Sequence, residues 1–306
     1  MTWLQLKAKV APEQAERLEE LLIAEGASAI SLQDAYDDPV LEPELGTTPL
    51  WNETVLTGLY DDLDDVEAMI GRVGQAWAAD VPDDPCPDIS FELVADRDWE
   101  REWMDGYEPL QMGKRLWIVP SWHDSPDPHG VNLILDPGLA FGTGTHPTTA
   151  LCLEWLDEQA LAGRLDDQAI LDIGCGSGIL AIAALKLGAT HAVGTDIDPQ
   201  ALTASRDNAE RNEIDASRLS LYEPDTFQGD DYPIVLANIL AGPLIEMAAT
   251  LAGYVAPGGT IVLSGILAHQ ADDVADAYRD QGLMIDPPCE RDGWVRLVGY
   301  RYDGSR

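Results

Sequence analysis

Lysine is nearly absent from this chain of 306 residues. Only Lys7, Lys9, Lys114 and Lys186 are present, and 18 basic residues in all face 55 acidic ones, so the formal net charge is -37 at pH 7. A nucleic-acid-binding surface needs a basic stripe that contacts phosphates, and the sequence has none. We therefore expect no direct nucleic-acid partner.

Two explanations of the excess acid stay open. Acidic residues are spread along the chain, from "DDLDDVE" at 61–67 to "ADDVADAYRD" at 271–280, without one dominant run. The negative field could steer a basic partner toward the protein. Alternatively, it could be an adaptation to a salty cytoplasm, where screening makes the self-repulsion tolerable.

Cysteine and histidine are also scarce, and neither shows metal-ligand spacing. The four cysteines are scattered, and the five histidines form no zinc pattern. No metal site and no disulfide framework are expected. The sequence also lacks a cationic, apolar leader and any run of about eighteen apolar residues. We therefore expect a cytoplasmic protein without a membrane span.

Residues 1–95 form a first predicted domain. Alternating apolar residues predict strands at 2–10, 28–35, 52–61 and 88–95, and amphipathic patterns predict helices at 12–27 and 63–79. The order β-α-β-β-α-β is that of a ferredoxin-like α+β unit. A packing or dimerisation module and a docking platform for a macromolecule remain open as its role.

Residues 96–122 are interpreted as a linker rich in tryptophan. Trp99, Trp103, Trp117 and Trp122 crowd this segment. They could form an aromatic recognition patch, although we favour a role in cementing two domains together.

Residues 123–306 form the second predicted domain, in which strands and helices alternate. The stretch "AILDIG" at 169–174 is nearly continuous in apolar residues, as in a strand covered on both faces. One helix is predicted over 242–255, and the last two strands have no helix between them. This pattern predicts an α/β, doubly wound, mostly parallel sheet with an antiparallel end.

A glycine cluster, "LDIGCGSGILA" at 171–181, follows the first strand of this domain and opens a helix. Gly174 and Gly176 would let the backbone turn tightly and approach a ligand closely at the helix N-terminus. Gly176, Gly178 and Ala181 also satisfy the dinucleotide pattern G-x-G-x-x-A, so a nicotinamide-dependent oxidoreductase must be weighed.

Two carboxylates favour a different cofactor. Asp172 precedes the glycines, where it would repel a pyrophosphate but could receive the ammonium group of a cofactor that carries an amino acid. Asp196 ends the next strand and is placed to accept hydrogen bonds from both ribose hydroxyls. Asp198 and Pro199 read as N-cap and first residue of the following helix.

The pattern D-x-G-x-G-x-G, with an acid closing the second strand, resembles the S-adenosylmethionine-dependent methyltransferases of the Rossmann-like class. Four blocks, "FGTGTHPTT", "DIGCGSGILAIAALKLGA", "DIDPQALTASRDNAERN" and "ANILAGPL", resemble one family closely. These are the bacterial methyltransferases of ribosomal protein L11, the PrmA family. The likeness covers the catalytic domain, whereas residues 1–95 fit by layout only.

The resemblance implies a Rossmann-like, seven-stranded methyltransferase sheet and S-adenosylmethionine as cofactor. It carries cofactor-binding roles onto Thr149, Gly174, Asp196 and Asn238, and Gly176 belongs to the same turn. Asn238 would also orient the incoming amine. The implied reaction methylates the α-amine and lysine side chains of L11, up to trimethylation. The implied enzyme is a monomer that acts on L11 free or before full assembly, with residues 1–95 as the substrate-recognition domain.

Within the glycine-rich stretch 135–153, the loop before the helix that begins near Pro147 is then interpreted as a lid over the cofactor. Gly142 and Gly144 would allow this loop to act as a lid and Phe141 would be its apolar cover, whereas Thr149 would offer a hydroxyl at the start of the helix. His146 is interpreted as a packing or hydrogen-bonding residue rather than a general base.

Three alternatives remain at this point. A methyltransferase of the same class could act on a small molecule or another protein. An oxidoreductase is supported by the G-x-G-x-x-A overlap, although no catalytic lysine, tyrosine or histidine motif accompanies it. A non-enzymatic module would bind the cofactor without transferring a methyl group.

Overall fold

The computed structural model describes residues 2–36, 50–61, 65–82, 84–95, 107–136 and 144–304. The chain folds into two compact units, Met1–Gly106 and Tyr107–Arg306. Within the described ranges, no helix is both long and apolar enough to span a bilayer.

The first unit is a four-stranded antiparallel sheet with two helices. Its elements are β1 (Thr2–Val10), α1 (Pro12–Ala24), β2 (Ala29–Asp34), β3 (Thr54–Tyr60), α2 (Val66–Asp80) and β4 (Ile89–Ala95). The strand order is β2-β3-β1-β4, and each neighbouring pair is antiparallel. The element order β-α-β-β-α-β is the predicted one.

Strict alternation in β1 explains which face of this sheet is buried. Leu4 and Leu6 point to the helices and are at most 4% exposed, whereas the residues between them are partly exposed. They pack in one core with Leu18 of α1 and Trp77 of α2. The period of two along the strand therefore sets the position of both helices.

The second unit contains the larger sheet. Its helices are α3 (Pro147–Leu161), α4 (Ile179–Leu187), α5 (Pro199–Arg211), α6 (Ala241–Glu246), α7 (Ala248–Gly253) and α8 (Ala271–Arg279). Its strands are β5 (Leu110–Met112), β6 (Leu116–Val119), β7 (Val131–Ile134), β8 (Ala169–Ile173), β9 (His191–Thr195), β10 (Leu219–Tyr222), β11 (Tyr232–Asn238), β12 (Val255–Leu267), β13 (Met284–Ile285), β14 (Cys289–Arg291) and β15 (Trp294–Tyr300).

The main sheet has the order β10-β9-β8-β11-β12-β15-β13, with β14 paired to β15. The five strands from β10 to β12 are parallel, whereas β15 runs antiparallel to both β12 and β13. The doubly wound sheet with an antiparallel end is confirmed. The short strand β14 adds an eighth member to the seven that were expected.

Both faces of this sheet are covered, which explains the apolar run in β8. Ile170 faces one core, shared with Leu180 and Ala183 of α4. Leu171 faces a second core, shared with Leu244 of α6 and Val274 of α8. A strand buried on both sides needs apolar residues at consecutive positions rather than at alternate ones.

The segment predicted as a linker differs from the structure in its second half. Strands β5, β6 and β7 form a separate three-stranded sheet, and residues 107–122 belong to the second unit rather than preceding it. Trp117 lies in β6. These strands are only three or four residues long, so alternation could not reveal them. Trp99 and Trp103 lie outside the described residues.

The single helix predicted over 242–255 is two helices. Met247, between α6 and α7, has φ -93° and ψ 5°, outside helical geometry. The backbone amide of Met247 still donates to the Pro243 carbonyl at 2.9 Å, so the interruption is local.

Asp157 joins the three-stranded sheet to α3. Its buried carboxylate accepts the backbone N–H of Lys114 at 2.6 Å and that of Arg115 at 3.2 Å. Gly113, at φ +81°, passes so close that an added Cβ would lie 2.6 Å from Oδ2 of Asp157. The carboxylate therefore holds the β5–β6 turn by accepting hydrogen bonds from two of its backbone amides.

We predict that Asp157→Ala lowers the melting temperature by roughly 5–10 °C, because two backbone amide donors lose a buried charged acceptor worth about 3 kcal/mol together. Calorimetry of the purified variant checks this. The control is Glu158→Ala, which removes the same charge from the exposed neighbouring position. Equal melting temperatures for the two variants would contradict the anchoring role.

Candidate functional site

The candidate site lies where three neighbouring strands end. Ile173 of β8 pairs with Thr195 of β9 on one side and with Ala237 of β11 on the other. The next residue on each strand is Gly174, Asp196 or Asn238. Because adjacent strands are about 4.8 Å apart, these three predicted site residues lie within roughly 10 Å at the carboxyl edge.

The glycine turn after β8 has left-handed backbone angles. The φ values are +67° for Gly174, +55° for Gly176 and +78° for Gly178, a region that disfavours other residues. An added Cβ on Gly174 would lie 2.4 Å from Cγ2 of Ile239. Glycine is therefore required at 174 both by conformation and by the closeness of the β11 end.

Asp196 is held by two backbone donors. One carboxylate oxygen accepts the Gly176 N–H at 2.9 Å, and the other accepts the Asp198 N–H at 2.9 Å. The half-buried carboxylate keeps lone pairs on both oxygens for further donors, such as two vicinal hydroxyls. Asp198 is the N-cap of α5, as predicted, and accepts the Gln200 N–H at 2.8 Å.

Thr149 and Asn238 meet although they are far apart in sequence. The Asn238 side-chain amide donates to Oγ1 of Thr149 at 3.3 Å, and Thr149 is fully buried in α3. Within the described residues, Oδ1 of Asn238 is buried and has no hydrogen-bond partner. This buried acceptor can therefore receive a further hydrogen-bond donor.

Asp172 is a second incomplete acceptor. It is 1% exposed, and its Oδ2 accepts the Ala181 N–H at 3.2 Å. No partner of its Oδ1 is found among the described residues. Burial raises the pKa of this carboxyl to about 7.

His146 is a helix cap. Its Nδ1 lies 2.8 Å from Oγ1 of Thr148 and accepts the Thr148 N–H at 3.4 Å, at the start of α3. Its ring packs edge-on against Trp294, with centroids 4.7 Å apart, and burial lowers its pKa. These contacts agree with a packing and hydrogen-bonding histidine. The expected lid lies largely outside the described residues, including Gly138, Phe141 and Gly142.

Other residues beside the site were not singled out from the sequence. Ile197 follows Asp196 and is 87% exposed, an unusual position for a large apolar side chain. Ser205 and Asn208 of α5 are buried and bond to carbonyls of the glycine turn. In the sequence, Ser205 and Asn208 lie four and seven residues after the buried Ala201, and this helical spacing could have identified them as residues of the same buried face.

The site fits an organic cation with vicinal hydroxyls better than it fits a metal ion. No group of three histidine, cysteine or acidic side chains suited to a metal occurs in the described parts of the chain. The unpartnered oxygens of Asp172 and Asn238 suit an ammonium group, and Asp196 suits a ribose. A pyrophosphate next to Asp172 would meet a buried acid instead of a free amide donor.

Comparison with known proteins gives consistent matches. The profile of a family described as "Ribosomal protein L11 methyltransferase (PrmA)" matches residues 2–302. A Chromohalobacter salexigens protein named ribosomal protein L11 methyltransferase is 67% identical over 299 residues, covering 98% of this chain and 99% of that protein. A Pseudomonas aeruginosa protein of the same name is 54% identical over 301 residues, covering 98% and 99%.

A solved structure is also similar. The crystal structure of a ribosomal protein L11 methylase from Lactobacillus delbrueckii subsp. bulgaricus superposes with a TM-score of 0.58 at 32% identity. The match covers 64% of this chain and 100% of that one.

We predict that Asp172→Asn stabilises the cofactor-free protein as pH rises. Because burial raises the pKa of Asp172 from 3.8 to about 7, its contribution to stability is fully present below pH ~4 and is lost as pH rises through about 7. The variant should melt close to the wild type only below pH ~4, and its advantage in melting temperature should grow through pH 5 and 6 and level off above about pH 7.

Melting curves across this pH range check the prediction, with the exposed Glu158→Gln as control for the loss of one charge. A difference between Asp172→Asn and wild type that stays constant with pH would show that Asp172 does not titrate in this window.

Proposed function

Since the chain belongs to the ribosomal protein L11 methyltransferase (PrmA) family, we propose that it transfers methyl groups from S-adenosylmethionine to amine nitrogens of ribosomal protein L11. The observation that carries this proposal is that four residues come together at one edge of the sheet. Gly174 and Asp196 directly follow β8 and β9, Asn238 is the last residue of the adjacent β11, and Asn238 donates a hydrogen bond to Thr149.

The described residues offer a place for each part of this cofactor. Asp196 would accept hydrogen bonds from the ribose hydroxyls, and Gly174 would allow the methionine portion close to the backbone. Asp172 and Asn238 would receive the ammonium group with their free oxygens. The exposed Ile197 side chain would lie against a face of the adenine ring.

The cofactor, when bound, supplies a methyl group that is already activated by a sulfonium sulfur. The attacking nitrogen must be neutral, and a free lysine titrates near ~10.4, so the site has to desolvate or select the deprotonated amine. Oδ1 of Asn238 has two lone pairs, so it would accept one hydrogen bond from this amine and one from the ammonium group of the cofactor. Holding the amine in line with the methyl group then supplies much of the acceleration.

His146 is not needed as a base in this scheme. Its Nδ1 is engaged with Thr148, and burial lowers its pKa, so the ring is neutral at pH 7 and fixed as a helix cap. The oxidoreductase alternative has no support left, since the family is that of methyltransferases.

We also propose which amines accept the methyl groups, when L11 is modified and what the first unit does. Acceptors would be the α-amine and lysine side chains of L11, up to trimethylation, and L11 would be modified while free or before full assembly. The first unit would recognise the protein substrate. The enzyme would work as a cytoplasmic monomer without contacting nucleic acid, in keeping with its net charge of -37.

We predict that purified L11 gains mass in steps of one methyl group when it is incubated with the enzyme and S-adenosylmethionine. Intact-mass spectrometry gives acceptor and multiplicity together, and fragmentation locates the amines. A boiled-enzyme sample is the control. No mass gain, with cofactor binding still measurable by calorimetry, would keep the methyltransferase fold and discard L11 as substrate.

We predict that Asn238→Ala lowers kcat about 100-fold, as expected when an orienting hydrogen bond to the reacting group is lost, and changes the melting temperature little. Turnover on L11 and thermal melting are measured on the same preparation. The matched control is Asn132→Ala, which removes an asparagine that bonds to Ser125 and to the carbonyls of Asp127 and Gly130. Parallel losses of turnover and stability in Asn238→Ala would argue against the orienting role.

A further inference from the structure

Helix α5 carries buried polar side chains on the face that packs against the glycine turn. Ser205 is 0% exposed and donates from Oγ to the Gly176 carbonyl at 2.8 Å. Asn208 is 8% exposed and donates from Nδ2 to the Ser177 carbonyl at 2.9 Å. A buried polar side chain in a helix is costly unless it is bonded, and both bonds are made to the same turn.

We propose that Ser205 and Asn208 are positioning residues that set the affinity for S-adenosylmethionine by fixing the glycine turn. The inference rests on the proposed function, because it assumes that this turn and Asp196 bind the cofactor. Neither side chain would contact the cofactor. They act through the backbone that does.

Gly176 connects α5 to the carboxylate that would hold the ribose. Its carbonyl accepts from Ser205, and its N–H donates to Oδ2 of Asp196 at 2.9 Å. The N–H and the carbonyl belong to the peptide planes on either side of the Gly176 Cα atom, so the two bonds restrain both planes. Loss of the Ser205 bond would leave the second plane free to rotate and would loosen the glycine whose N–H orients Asp196.

Close packing at Gly178 adds a second constraint. An added Cβ on Gly178 would lie 2.9 Å from Oγ of Ser205, so the hydroxyl occupies the space that a side chain would take. Gly176 and Gly178 both have positive φ, and glycine populates many other conformations when nothing restrains it. Without the two bonds from α5, cofactor binding would have to order the turn, and affinity would fall.

The same helix provides a matched control. Asn212, the C-cap of α5, is 5% exposed and makes two bonds to Ile134, each of 2.7 Å. These bonds tie α5 to the end of β7 and do not involve the glycine turn. Asn208 and Asn212 are thus two asparagines one helical turn apart whose side chains bond to different parts of the chain, the glycine turn and β7.

The experiment measures the dissociation constant of S-adenosylhomocysteine, the product form of the cofactor, by calorimetry and the melting temperature of the cofactor-free protein. The variants are Ser205→Ala, Asn208→Ala and Asn212→Ala. We expect the dissociation constant to rise about five- to tenfold for the first two, which corresponds to the loss of one hydrogen bond each. Asn212→Ala should lower the melting temperature comparably and change the dissociation constant less than twofold.

Two further readouts separate positioning from general stability. Asn208→Asp keeps the shape but presents an acceptor to the Ser177 carbonyl, so it should weaken binding at least as much as Asn208→Ala. In Ser205→Ala, KM for the cofactor should rise while KM for L11, at saturating cofactor, stays unchanged.

Dissociation constants of Ser205→Ala and Asn208→Ala within twofold of the wild type would overturn the inference, as would normal binding by Asn208→Asp. Affinity that falls equally in Asn212→Ala would also overturn it, because the effect would then follow stability alone. A wild-type protein that does not bind S-adenosylhomocysteine at all would instead refute the proposed function.

Discussion

The register of three parallel strands determines where the chemistry of this protein lies. Thr195, Ile173 and Ala237 form one hydrogen-bonded row, and the chain leaves the sheet at the next residue on β9 and β8. Asp196, Gly174 and Asn238 follow this row directly. A shift of one residue in β8 would turn Asp172 from one face of the sheet to the other and would move Gly174 out of line with Asp196 and Asn238. Ile170 packs in one core and Leu171 in the other, so such a shift would exchange the side chains that the two close-packed cores receive from β8. Packing of the cores thus sets the geometry of the site.

Much of the second unit could be predicted because its signals are local. The glycine turn, the acid at the end of β9 and the Asp198–Pro199 start of α5 each lie within a few residues, and a sheet covered on both faces is visible in continuous apolar strands. The first unit was equally predictable, since successive residues of the nine-residue strand β1 alternate between the buried and the partly exposed face of the sheet. Strands β5, β6 and β7 were missed for the opposite reason. They are too short for periodicity, and their contacts are with distant segments. Asp157, forty-two residues beyond Arg115, bonds to the β5–β6 turn, and Leu116 and Leu133 pack into the core of the second unit.

The site itself was only partly predictable, because its hydrogen bonds join distant segments. The bond between Asn238 and Thr149 spans 89 positions, and the bond from Asn208 to Ser177 spans 31. Sequence could show that Asn238 stands in an apolar context and needs a partner, but the identity of this partner depends on where α3 lies against β11. Likewise, the helical spacing of Ser205, Asn208 and Asn212 places them on one buried face of α5. Only the structure shows that two of them bond to the glycine turn and the third to β7.

The buried polar groups of the site also connect stability with binding. The free oxygens of Asp172 and Asn238 are acceptors removed from water without a donor in the described part of the chain, and such groups destabilise a folded protein by about 1–3 kcal/mol each. The raised pKa of Asp172 has the same cause, since burial disfavours the charged carboxylate.

An ammonium group that donates to the free oxygens of Asp172 and Asn238 would satisfy both acceptors and favour ionised Asp172. Binding and protonation of this carboxyl are therefore linked: a cationic ligand lowers its pKa, and the protonated form binds the ligand more weakly.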